Sequence, residues 1–98
     1  MNSFGLPKNT LDQIKELLSS FSEIKEVKIF GSRARGNFQL ASDIDLALFG
    51  EINDKTLRHI FSELDELPTP YKFDVIAYDN IDNPDLKKSI DTYGVKII

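Results

Sequence analysis

The sequence predicts an α/β (α+β) fold, a small mixed β-sheet flanked by helices. Three observations lead there. Apolar residues at helical spacing alternate along the chain with short β-type runs, those runs end in small or polar residues, and 98 residues suffice for one modest core. A single domain over residues 1–98 is the expectation, since no repeat, low-complexity stretch or linker interrupts the pattern.

Leu11, Ile14, Leu17, Leu18 and Phe21 recur at helical spacing after Pro7, predicting a first helix from about residue 8 to 20, with Thr10 and Gln13 as its capping box. A strand follows at about 26–31, where Val27 and Ile29 alternate with Lys28 and Phe30 until Gly31-Ser32 breaks the run. Residues 32–36 suit a short helical turn. The next strand, about 43–49, ends at Gly50. Asp54 reads as the cap of a helix whose Leu57, Ile60, Phe61, Leu64 and Leu67 share one face, closed by Pro68 and Pro70. Phe73 to Tyr78 forms a third strand. Pro84 opens a last helix through about Tyr93, with Gly94 as its stop, and residues 95–98 are too short to assign.

Chemistry concentrates in two places. Gly31-Ser32-Arg33-Ala34-Arg35-Gly36 offers a phosphate-sized backbone cradle, and Ser42-Asp43-Ile44-Asp45-Leu46 places two acids in a run that otherwise reads as a buried strand. Alternate strand residues share a face, so the two carboxylates project the same way, roughly 6–7 Å apart, a span that carboxylate arms close around divalent ions. An unpaired acidic couple is costly to desolvate, and a magnesium ion carrying a triphosphate is the simplest positive partner. Ser42 reads as a local side-chain to backbone bond that fixes the loop. Phe38 and Leu40 either stack on a base or anchor the loop, and the sequence does not choose between these. His59 stands alone on a helix face and reads as a surface residue; Tyr71, Tyr78 and Tyr93 read as core-edge residues, with Tyr71 a second candidate for the rim of a nucleotide site.

Composition removes other classes. With no cysteine there is no disulfide scaffold, thiolate metal site or thiol nucleophile, and no stretch approaches the roughly 18–20 apolar residues of a membrane span. The first residues lack a secretory pattern, so a cytoplasmic location is expected. Twelve basic against 16 acidic side chains, net charge −4, argue against holding long nucleic acid electrostatically.

The Gly31-Ser32 turn, the Asp43-Ile44-Asp45 pair and Asp74 on a later strand resemble the nucleotidyltransferase superfamily related to DNA polymerase beta, and the length is similar to its minimal bacterial and archaeal members. The resemblance implies a Mg2+-dependent transfer of a nucleoside monophosphate from a nucleoside triphosphate, AMP from ATP, to an acceptor hydroxyl. It assigns two Mg2+ ions to Asp43, Asp45 and Asp74, with Asp74 on the hydroxyl side, and the triphosphate to Gly31, Ser32 and Arg35. Arg35 is alternatively a structural partner of the acids, and Arg33 has no secure assignment. Members of this kind are similar to antitoxins paired with a separate small helical HEPN or substrate-binding protein. A non-catalytic module that neutralises its partner by complex formation, or a small-molecule transferase of the aminoglycoside-modifying type, are the alternatives.

Overall fold

The computed structural model describes residues 4–39 and 41–98. The elements follow in the order α1 (Lys8–Ser19), β1 (Ile24–Phe30), α2 (Gly31–Arg35), β2 (Ile44–Gly50), α3 (Asp54–Asp65), β3 (Phe73–Ala77), a 3-10 turn (Tyr78–Asn80), α4 (Pro84–Tyr93) and β4 (Val95–Lys96). The four strands make one sheet in the order β3-β2-β1-β4. β1 is antiparallel to β2 and β4, whereas β2 and β3 are parallel. The sheet is therefore mixed, as expected. A parallel neighbour requires a crossover, and α3 provides it.

Strand alternation divides the side chains between two unequal layers. On one face Val27, Ile29, Ile44, Leu46, Leu48, Phe73 and Ala77 meet Leu11, Ile14 and Leu18 of α1 and Ile60 and Leu64 of α3. This is the main core. On the other face a smaller cluster of Phe30, Ala47 and Ile90 carries α4. Phe49 stacks on Tyr78 with ring centroids 4.4 Å apart, and the Tyr78 hydroxyl donates to Asp91 on α4 at 2.8 Å, which pins that helix to the sheet.

Several expected boundaries shift for local reasons. α1 starts at Lys8 as expected, but the Thr10–Gln13 capping box does not form: Pro7 is the cap residue, with no side-chain cap bond, and Thr10 lies buried inside the helix. Pro7 carries no N–H to satisfy, and its carbonyl already accepts from Leu11 N at 3.1 Å. The cap of α3 is Asn53, whose Oδ1 accepts from Thr56 N at 2.8 Å, not Asp54, which is the first helical residue. Asn83 caps α4 in the same way ahead of Pro84. Tyr78 leaves β3 for the 3-10 turn. Gly31 belongs to α2, and Val95–Lys96, unassigned from sequence, pairs with Ile29 and Lys28 at the sheet's edge.

Candidate active site at the strand ends

The strand directions gather three chain segments at one end of the sheet: the exit of β1 into α2, the entry to β2 and the entry to β3. In the β2–β3 ladder Asp45 stands directly beside Asp74, and across β1 it faces Phe30. Registered residues of neighbouring strands lie about 4.8 Å apart with side chains on one face. Asp45 and Asp74 thus emerge side by side on the α4 face. Asp43 sits two residues before Asp45, one step ahead of the strand proper. The strand starts at Ile44, whose N–H bonds the Lys72 carbonyl at 2.9 Å.

Asp45 is half-buried, while Asp43 and Asp74 are exposed. Burial, reinforced by the charges of Asp74 and then Asp43 and opposed by Arg33, pushes the Asp45 carboxyl up to about 6 from 3.8. The three acids repel one another. Among the described residues no three acidic or histidine side chains are placed close enough together to hold a metal ion. The donor set is nonetheless of the right kind, since hard carboxylate oxygens suit Mg2+, which keeps several waters and needs few protein ligands.

Gly31 forms the floor of this corner. Its φ of +73° is a left-handed conformation that side chains rarely adopt, and a β-carbon there would fall on Asp45 Oδ2 and lie 3.1 Å from its Cγ. Only glycine lets the carboxylate lie against the turn. Ser32 follows, half-buried, and its carbonyl accepts from Gly36 N and Asn37 N as α2 ends.

The two arginines of this turn part company. Arg35 is exposed, with its guanidinium 5.5 Å from the centre of the Tyr93 ring on α4. Arg33 is buried, with 2% of its surface exposed. Its Nε and Nη2 donate to the Ser42 carbonyl at 3.2 and 2.9 Å, Nη1 donates to the Phe4 carbonyl at 2.8 Å, and its Cζ lies 5.1 Å from the centres of both the Phe38 and Tyr71 rings. Sequence reasoning gave Arg33 no role. Its partners lie up to 38 residues away, and no local spacing announces them.

Phe38 anchors the loop beneath Arg33; Leu40 lies outside the described residues. Ser42 does fix the loop locally, accepting from Gln39 N at 2.8 Å. His59 is exposed beside Glu63 and edge-on to Phe21. A recess of about 470 Å³ opens next to Asp43, lined by Ala41, Pro70, Tyr71 and Lys72. A more apolar recess of about 440 Å³, lined by Leu57, Ile76, Ile81 and Leu86 among others, lies at the opposite end of the sheet, away from the three acids.

Carboxylates crowded at the mouth of a mixed sheet, with a glycine turn beside them, form a cluster of hard oxygen donors at one end of the fold. Comparison with known proteins identifies the family. Residues 12–98 match the family "Polymerase beta, Nucleotidyltransferase", and the chain belongs to it: it is a nucleotidyltransferase. Two Methanocaldococcus jannaschii proteins named as protein adenylyltransferases, MJ1379 and MJ1217, are each 35% identical to it, over 92 and 91 residues, covering 84% of this chain and 92% of theirs. Among solved structures, a toxin-antitoxin complex with AMP-PNP has a chain of the same fold, with a TM-score of 0.73 at 18% identity, covering 95% of this chain and 73% of that one. A tri-AMPylated Shewanella oneidensis HEPN toxin in complex with MNT antitoxin gives a TM-score of 0.63 at 17% identity, covering 93% and 71%. Among the described residues no helix is long and apolar enough to cross a membrane.

Proposed function

We propose that the chain transfers AMP from ATP to a hydroxyl, of the tyrosine type, on a separate small helical HEPN-type protein, and so silences a toxic partner. The observation that carries the reading is the in-register pairing of Asp45 with Asp74 across parallel strands, with Asp43 two residues away and Gly31 clearing the space beneath. The adenylyltransferase names of the archaeal relatives support the nucleotide, and the fold likeness to antitoxins in HEPN complexes supports the partner.

In this reading Asp43, Asp45 and Asp74 hold two Mg2+ ions. Bound there, the metal supplies charge neutralisation at the α-phosphorus and a lowered pKa for the attacking hydroxyl. The Gly31-Ser32 turn and the Ser32 hydroxyl receive the terminal phosphates, and Arg35 swings from Tyr93 to engage two of their oxygens. The acceptor oxygen bonds to the α-phosphorus while the bond to the β-phosphate bridging oxygen breaks; pyrophosphate leaves with the electron pair, and Asp74 takes the acceptor's proton. In-line displacement needs the acceptor opposite the leaving group. The sheet order supports this, with the phosphate turn on the β1 side of Asp45 and the recess of Tyr71 and Lys72 on the β3 side.

The test is incubation of the purified protein and the helical product of its neighbouring gene with Mg2+ and labelled ATP. Label on the partner, abolished when Asp43→Ala and Asp45→Ala are combined, is the expected result. An unlabelled partner bound tightly and equally by the double variant would replace catalysis with plain complex formation.

A further inference from the structure

Arg33 is the largest fully buried side chain among the described residues and the only charged one in that position. A buried guanidinium is tolerated only where its donors are met, and here two point at one carbonyl, that of Ser42, immediately before Asp43. A third holds the Phe4 carbonyl. The aromatic faces of Phe38 and Tyr71 enclose the planar group, and Tyr71 is also a wall of the recess beside Asp43.

The N-terminal strap is built to accept this bond. Phe4 takes a left-handed conformation, φ +59°, Gly5 follows at +71°, and Leu6 is fully buried. A β-carbon on Gly5 would collide with the Phe38 ring and lie 3.1 Å from Arg33 Nη1. A non-glycine residue at positive φ is held only by its surroundings, and the Arg33 bond supplies them.

We propose that Arg33 is a positioning residue: by clamping the Ser42 carbonyl, the Tyr71 ring and the Phe4 carbonyl together, it fixes where Asp43 presents its carboxylate and makes residues 4–6 part of the active-site frame. In this role Arg33 acts on Asp43 through the Ser42 carbonyl. The inference rests on the reading of Asp43 as a metal ligand, and residues that orient ligands typically carry effects of about 10–100-fold on metal affinity or activity.

The experiment uses the full chain with Arg33→Lys, which keeps the charge but loses the fork, and Gly5→Ala, which disturbs the clamp from outside the loop. Amide hydrogen exchange without metal should speed about tenfold at Ser42, Asp43 and Ile44 while Leu46 and Leu48 change little. Mn2+ affinity measured by electron paramagnetic resonance without nucleotide should fall about 10-fold or more, and kcat should fall while KM for ATP holds. Guanidinium ion at millimolar concentration should restore Mn2+ binding to Arg33→Ala, and ammonium should not. If Arg33→Lys does not fold, Gly5→Ala decides. Exchange that is unchanged, or that rises equally in Leu46 and Leu48, with Mn2+ affinity intact, overturns the proposal and leaves Arg33 a core residue. Wild-type protein that binds no Mn2+ would instead sink the reading of the acids, whatever the exchange shows.

Discussion

Replacing Asp45 by asparagine should make the metal-free protein more stable at neutral pH. The carboxyl is half-buried and faces Asp74 and Asp43, and these raise its pKa from 3.8 to about 6 in the folded state. An acid whose folded pKa lies above its unfolded value binds its proton more tightly when folded. Its stabilising contribution is complete below pH 3.8 and disappears as pH climbs through about 6. Linkage at full value corresponds to about 3 kcal/mol, and solvent screening of a side chain this accessible reduces it to about 1 kcal/mol. Asparagine mimics the protonated acid at every pH. Urea unfolding in EDTA of wild type and Asp45→Asn, at several pH values from 4 to 7.5, should give a gap of about 1 kcal/mol in favour of the variant at the upper end, closing toward pH 4. Adding Mg2+ should stabilise the wild type and not the variant. A variant no more stable than wild type at pH 7.5, or a gap that ignores pH, would refute the placing of three mutually repelling acids.

Gly31→Ala should cost about 2 kcal/mol or more in thermal or urea unfolding and abolish transfer, because the left-handed backbone and the Asp45 carboxylate both exclude a β-carbon. Arg35→Ala should raise KM for the nucleotide about tenfold with little change in melting temperature, since its stack on Tyr93 is exposed; an unchanged KM would confine Arg35 to a structural contact. Asn53→Ala should lower stability by about 0.5–2 kcal/mol, while Asp54→Ala costs less, which separates cap from first helical residue in one pair of melts. Tyr78 donates to Asp91, and that bond pushes its phenol above the ordinary tyrosine range, so ultraviolet titration should find it ionising at higher pH than in Asp91→Asn.

The elements were legible because each announces itself locally. The leucines and isoleucines of α1 and α3 recur at helical spacing, the β-runs alternate, and Gly31, Pro84 and Gly94 mark turns through backbone constraints any sequence displays. The Asp43-Ile44-Asp45 pair was equally plain. What escaped was decided by contacts between distant segments. Whether Thr10 caps a helix or is buried in it depends on where the chain approaches Pro7, and Asn53 outcompetes Asp54 by one residue of phase. Strand order and the parallel pairing of β2 with β3 require the sheet to be assembled. Arg33 is the sharpest case. In sequence it is one of two arginines in a small-residue turn, and it becomes a buried clamp only when Phe4, Ser42 and Tyr71 are brought around it.

Because β2 and β3 run the same way while β1 opposes them, the candidate-site segments lie at one pole and the connections at residues 20–23, 51–53 and 78–83 lie at the other. That far pole is a place where tags or fusions can be grafted away from the candidate site, so a reporter spliced between the exposed Ser22 and Glu23 should leave turnover intact while one spliced into 37–42 would not.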